Sequence, residues 1–208
     1  MKANILKYGG VAASIILIIF GIASIAVGAA GRNTVQDNLQ AEKIVGTPDM
    51  TPKAIKAEGA AAGLKNVDYP TCSVAGQAID NGKDARCFAQ YMRIHALEAT
   101  GGLVYAQMGQ YLDANGKPTS DKAAAAIDPK TKQPVANGAR TTWVNETALA
   151  TALNTSYFAE NVALFSIVMG IALLLVGIGL AVLTFGLIPT RRASGEPVKA
   201  GAADPVTA

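Results

Sequence analysis

His95 is the only histidine in the 208 residues, and Arg93, Glu98 and Tyr105 lie close to it in sequence. On a helix, Glu98 stands three residues from His95 on the same face, within reach of a hydrogen bond. Two readings are open: a general acid/base pair, or a satisfied polar cluster where helices pack. Ligands for a metal are in thin supply. An ion takes three or four, and one histidine with scattered carboxylates forms no spaced motif. Asp113-x-Asn115-Gly116 begins like a calcium loop but lacks the third ligand position and the closing glutamate, so it reads as a turn. Gly101-Gly102 is not completed by Lys-Ser/Thr into a phosphate loop, and no Gly-x-Ser-x-Gly elbow appears. The expectation is a protein that is not an enzyme, with no catalytic residues, no cofactor and no metal.

Cys72 and Cys87 are the only cysteines. A disulfide between them closes a 16-residue loop, worth about 3 kcal/mol in the chain-entropy model. The alternative is two unpaired thiols. Their spacing is neither a zinc nor a redox pattern. Because disulfides persist outside the cytosol, the pairing places this part of the chain in an oxidising compartment.

The elements that must carry these residues are set by two apolar blocks. No charged residue occurs in the 24 positions from Tyr8 to Gly31, nor in the 30 from Asn161 to Thr190. A lipid core needs about 20 apolar residues in a helix, and inside it the backbone must satisfy its own hydrogen bonds. The first block exceeds the roughly 7–15 residues of a signal-peptide core, so it reads as a retained anchor. Lys2 and Lys7 precede it, while Arg191, Arg192 and Lys199 come after the second block. The positive-inside rule then puts both termini in the cytoplasm. The expected organisation is a cytoplasmic tail (1–7), a transmembrane helix (8–31), an extracytoplasmic helical domain (32–160), a second transmembrane helix (161–189) and a disordered cytoplasmic tail (190–208). The fold class is mainly α: an integral membrane protein whose two spans flank a mostly helical outer domain with a disulfide and short hairpin loops.

Ser14, Gly21 and Gly28 recur every seven residues, as do Ala163, Gly170, Gly177 and Thr184. That step keeps small residues on one helix face, where two membrane helices can approach closely. The other reading is the general abundance of Gly and Ala in such helices. Neither span holds an ionisable residue, which disfavours an ion or proton pathway.

In the outer segment, residues 34–43 continue the first helix until Gly46, Pro48 and Pro52 stop it. Residues 46–71 read as loop with one short helical turn near Ile55–Leu64. Arg86–Leu112 reads as helical, with Gly101-Gly102 marking either a cap before a second helix, Leu103–Leu112, or a close backbone contact. Residues 113–140 carry turn signals for two short hairpins, and Thr141–Glu160, free of Gly and Pro, runs into the second span. This segment balances 13 Lys/Arg against 13 Asp/Glu, and the net charge of the chain is only +3, so no nucleic-acid partner is implied.

Several strings occur together in order between the apolar blocks. They are Thr34-Val35-Gln36-Asp37 with Gln40-Ala41-Glu42-Lys43-Ile44, the octapeptide His95-Ala96-Leu97-Glu98-Ala99-Thr100-Gly101-Gly102 with Tyr105-Ala106, and Asn154–Phe158. In this the chain resembles a group of small actinobacterial two-helix membrane proteins, often labelled aromatic ring-opening dioxygenases. Such oxygenases hold iron with two histidines and a carboxylate, a set one histidine does not supply. The resemblance therefore implies a topology and a compartment rather than an activity. The expected partners are membrane lipid and a larger membrane complex, to which the chain is a non-enzymatic accessory or scaffold subunit. The alternative is an extracytoplasmic sensor or ligand-binding module with His95, Glu98 and Tyr105 lining a pocket, and the candidate interaction residues are these three with Gly101 and Gly102.

Overall fold

The computed structural model describes residues 2–186. The expected tail 190–208, with Arg191 and Arg192, and the last residues of the expected second span lie outside the described residues. Among the described residues the fold is mainly helical: α1 (Lys2–Glu42), α2 (Pro52–Ala61), α3 (Gly82–Ala99) and α4 (Gly138–Gly186). A two-stranded antiparallel ladder, β1 (Tyr111–Leu112) with β2 (Pro118–Thr119), is the only named sheet among them. The first apolar block lies inside α1, which is 41 residues long. The described part of the second lies inside α4, which is 49 residues long.

The described residues divide into two compact units, residues 2–21 with 172–186, and residues 22–171. In the first, the ends of α1 and α4 meet through small residues. A methyl added at Gly177 would stand 2.8 Å from Ile18 Cγ1, and one at Gly10 would stand 2.6 Å from Thr184 Oγ1. Ser14 and Thr184 are buried, and each hydroxyl donates to a carbonyl of its own helix, Val11 at 2.8 Å and Leu180 at 2.7 Å. No polar group of these two side chains then needs a partner from elsewhere.

In the second unit α1 and α4 touch at Gly28, where a methyl would fall 2.7 Å from the Ala163 carbonyl oxygen. A single carboxylate then joins three elements. Glu160 of α4 accepts from Arg32 Nε at 2.9 Å and Gln36 Nε2 at 3.1 Å on α1, and from the Gly82 amide at 2.6 Å where α3 begins. An anion at a helix N-terminus meets unpaired amides and the positive end of the helix dipole. Asn81 caps the same end by accepting from the Asp84 amide at 3.0 Å. Gly82 has to be glycine, because a methyl there would lie 2.7 Å from Tyr157 Cα.

Cys72 and Cys87 form a disulfide, which ties the loop before α3 to its second turn. Tyr91, one turn further on and fully buried, donates to the Cys72 carbonyl at 2.6 Å. Burial pushes its phenol above the ordinary value. Ile55 of α2, Ile94 of α3 and Leu153 of α4 close the core around it.

One expectation changes. Residues 103–112 form no helix: Gly101 and Gly102 both take positive φ, 63° and 79°, and their amides bond back to Glu98 and Leu97. That terminates α3, and the chain continues as a three-residue 3₁₀ turn and then β1. Of the two expected hairpins, one is β1–β2 over residues 111–119, and a second antiparallel pairing follows at the Ile127–Pro134 bridge, where the Asp128 amide donates to the Gln133 carbonyl at 2.9 Å and the Val135 amide to the Ala126 carbonyl at 2.8 Å.

Two outcomes test this framework. Replacing both cysteines by serine lowers stability by about 3 kcal/mol, read as a fall in the denaturation midpoint with helix content retained. Burial works against the charge on Glu160, but Arg32, the Gly82 amide and Gln36 outweigh it and hold the carboxyl below its usual range. Its contribution is therefore full above the ordinary glutamate value of about 4.3 and is lost as pH falls from there through the lower folded value. Glu160→Gln costs about 2 kcal/mol at neutral pH and flattens that acid limb in thermal unfolding scans.

Candidate functional site

α2 is started by Thr51, whose side chain accepts from the Ala54 amide at 3.2 Å, with Pro52 in the first turn. Ile55 points into the core, and Glu58, three residues on, shares its side of the helix. Asp49 lies just before the cap, next to buried Met50, whose carbonyl receives the Val74 amide at 3.2 Å and the Ser73 hydroxyl at 3.2 Å. On α3, His95 comes directly after buried Ile94 and lies one turn beyond Tyr91.

These three positions bring one imidazole and two carboxylates together. His95 Nε2 stands 2.9 Å from Asp49 Oδ2 and 3.6 Å from Glu58 Oε2, and the three donor atoms all lie within 4.8 Å of one another. All three side chains are half-buried. The Thr47 side chain, and then a backbone hydrogen bond, with a smaller part from the neighbouring His95, hold the Asp49 carboxyl below its usual range against the opposing effect of burial. Nε2 itself is buried and has no hydrogen-bond partner: the Asp49 oxygen is close, but off the N–H direction.

A second polar group sits where α3 faces α4. Arg93 donates to Glu146 Oε2 at 3.1 Å and lies over the Trp143 ring at 3.8 Å. Glu146 is 5% exposed, and its other oxygen is buried without a partner. Arg93 and Glu146 line a cavity of about 410 Å³ with Asp68, Gln90 and Asn154.

The structure separates the residues singled out by sequence. His95 faces Asp49 and Glu58, and no hydrogen bond or ion pair joins it to Glu98 among the described residues. Gly101 and Gly102 serve as the turn that ends α3. Tyr105 is exposed and lies under Arg140, 3.9 Å from its guanidinium. Ser14, Gly21, Gly28, Ala163, Gly170, Gly177 and Thr184 are all buried. Asp49 and Glu58 are missed by sequence reasoning, because they lie 46 and 37 residues before His95. The signal available was the short turn near Ile55, which fixes Glu58 beside a core position.

No family model, no curated protein and no solved structure matches the chain. The donor set also differs from the two-histidine iron site of ring-opening oxygenases.

Arg93→Ala leaves the Glu146 carboxylate buried and unpaired, at a cost of about 2 kcal/mol. Adding Glu146→Gln to that variant restores part of the loss, which a double-mutant cycle of thermal unfolding measures.

Proposed function

We propose that the chain is an integral membrane protein anchored by α1 and α4, with both termini in the cytoplasm and residues 32–160 beyond it. The observation that carries this reading is the exposure of the apolar helices. Only 11% and 17% of their most apolar windows are buried within the chain, and large side chains such as Ile16, Phe20, Leu175 and Phe185 are more than half exposed. Core helices of a water-soluble fold would hide such residues. A lipid surround removes the need. The disulfide and the basic flanks at Lys2, Lys7, Arg191, Arg192 and Lys199 support the orientation.

On this reading the protein is a non-enzymatic accessory or scaffold subunit of a larger membrane or envelope complex. Its α1–α4 seam is closed by small residues and consumed by self-packing. The remaining helix faces and the charge-balanced outer part stay free for lipid and for a partner. The absence of ionisable residues from the spans supports a structural rather than a transport role.

The topology is tested with an impermeant maleimide on intact cells. Lys122→Cys labels without permeabilisation, whereas Ala200→Cys labels only after it. The reverse pattern overturns the orientation. Extraction in mild detergent at native expression then recovers the chain with a stoichiometric membrane partner. Recovery of the chain alone would count against the accessory role.

A further inference from the structure

We propose that Asp49, Glu58 and His95 form a binding site for one divalent transition-metal ion of the zinc class. The three donors come from the loop before α2, from α2 and from α3. Donors bound to one tetrahedral zinc at about 2.0–2.1 Å stand about 3.4 Å apart. The 2.9 Å and 3.6 Å separations from Nε2 bracket that value, and all three donor atoms lie within 4.8 Å of one another, so side-chain rotations would close the set on one ion.

The unpartnered nitrogen is the second, independent observation. An imidazole nitrogen offers one proton or one lone pair. Here two carboxylates converge on a buried Nε2 that bonds to neither. An ion between them accepts the lone pair and balances both negative charges, giving a neutral site. Hydrogen bonding within the cluster leaves the same nitrogen unsatisfied, at the cost of a buried polar atom.

Selectivity is set by the donors. Calcium and magnesium favour all-oxygen ligands, whereas imidazole draws first-row transition ions, among which zinc accepts mixed nitrogen and oxygen sets. Three protein ligands leave one position open. That position is open to water or to an acidic group of a partner. The backbone under each donor is held by buried Met50, Ile55 and Ile94, so the ligands are placed before the ion arrives.

This site does not depend on the membrane-anchor reading, and its failure would leave that reading untouched. The test uses the untagged full chain, stripped with a chelator and titrated calorimetrically with Zn²⁺ alone, then with Ca²⁺ and with Co²⁺. Expected are one Zn²⁺ per chain, a rise in thermal midpoint on binding, visible Co²⁺ absorption of a low-coordinate site, and much weaker Ca²⁺ binding. His95→Ala and the near-isosteric Glu58→Gln each weaken Zn²⁺ binding at least about tenfold, the least that even an outer-shell change costs. Their circular dichroism stays that of the parent. Absence of stoichiometric Zn²⁺ binding, Zn²⁺ binding that survives both substitutions, or Ca²⁺ binding as tight as Zn²⁺ would overturn the assignment.

Discussion

The arrangement of the second unit depends on one carboxylate. Glu160 is the point at which α1, α3 and α4 are tied together, through Arg32, Gln36 and the Gly82 amide. Such a node works only if α3 can bring its first turn onto the backbone of α4, which the bare Cα of Gly82 allows. Arg86, one turn along, lies over Tyr157 at 4.7 Å from the ring centre and covers the contact. Charge, steric fit and helix polarity therefore specify the same starting point for α3. Every later residue on that helix, including Cys87, Tyr91, Arg93 and His95, takes its position from it.

From that starting point the disulfide and the Tyr91 hydroxyl draw the preceding loop against α3, with the Cys72 carbonyl receiving Tyr91 at 2.6 Å. The loop brings Val74 onto Met50, and its Ile79 amide bonds to the Ile44 carbonyl at 2.9 Å. Ile44 is just past the end of α1. The segment carrying Asp49 and α2 is thus held between the exit from α1 and the face of α3. Small proteins with little core use cross-links for this purpose. Here the cross-link lies against the core that Val74, Ile79, Tyr91 and Ile94 build.

What could be read from sequence divides along the range of the interactions. The two long helices were legible because uncharged blocks of 24 and 30 residues leave no other backbone solution in an apolar surround. The cysteine pair was legible because there were only two. The helix at Pro52–Ala61 was only partly legible: a short turn near Ile55–Leu64 was expected, and Pro52 read as a stop for the first helix rather than as the start that Thr51 and Pro52 make. The end of α3 was only half legible: Gly101-Gly102 announced a stop, but not that the chain after it continues as a 3₁₀ turn and β1. The neighbours of His95 were not legible. Helical spacing proposed Glu98, whereas the loop and α2 deliver Asp49 and Glu58 from far along the chain. Long-range convergence of this kind leaves no periodic trace in one sequence.

The satisfaction of the other polar groups gives weight to the exceptions. Hydroxyls on the long helices bond back to their own backbone, as Thr151, Thr155 and Ser166 do at 2.6, 2.8 and 3.0 Å. Thr100 uses its hydroxyl on both Leu97 and Leu103 at the end of α3. Asn137 holds Gly109 with its amide nitrogen and the Ala139 amide with its oxygen at the start of α4. Against that background, two buried side-chain atoms stand without partners among the described residues: His95 Nε2 and Glu146 Oε1. They differ in kind. Glu146 keeps one oxygen on Arg93, so its second is the spare acceptor of a pair already neutralised. His95 Nε2 has two anionic oxygens within 3.6 Å and bonds to neither. An unsatisfied acceptor beside a cation is a small local cost. A nitrogen with two carboxylate oxygens at 2.9 and 3.6 Å and an aligned bond to neither is a different kind of exception, and it is the one that the proposed cation site accounts for.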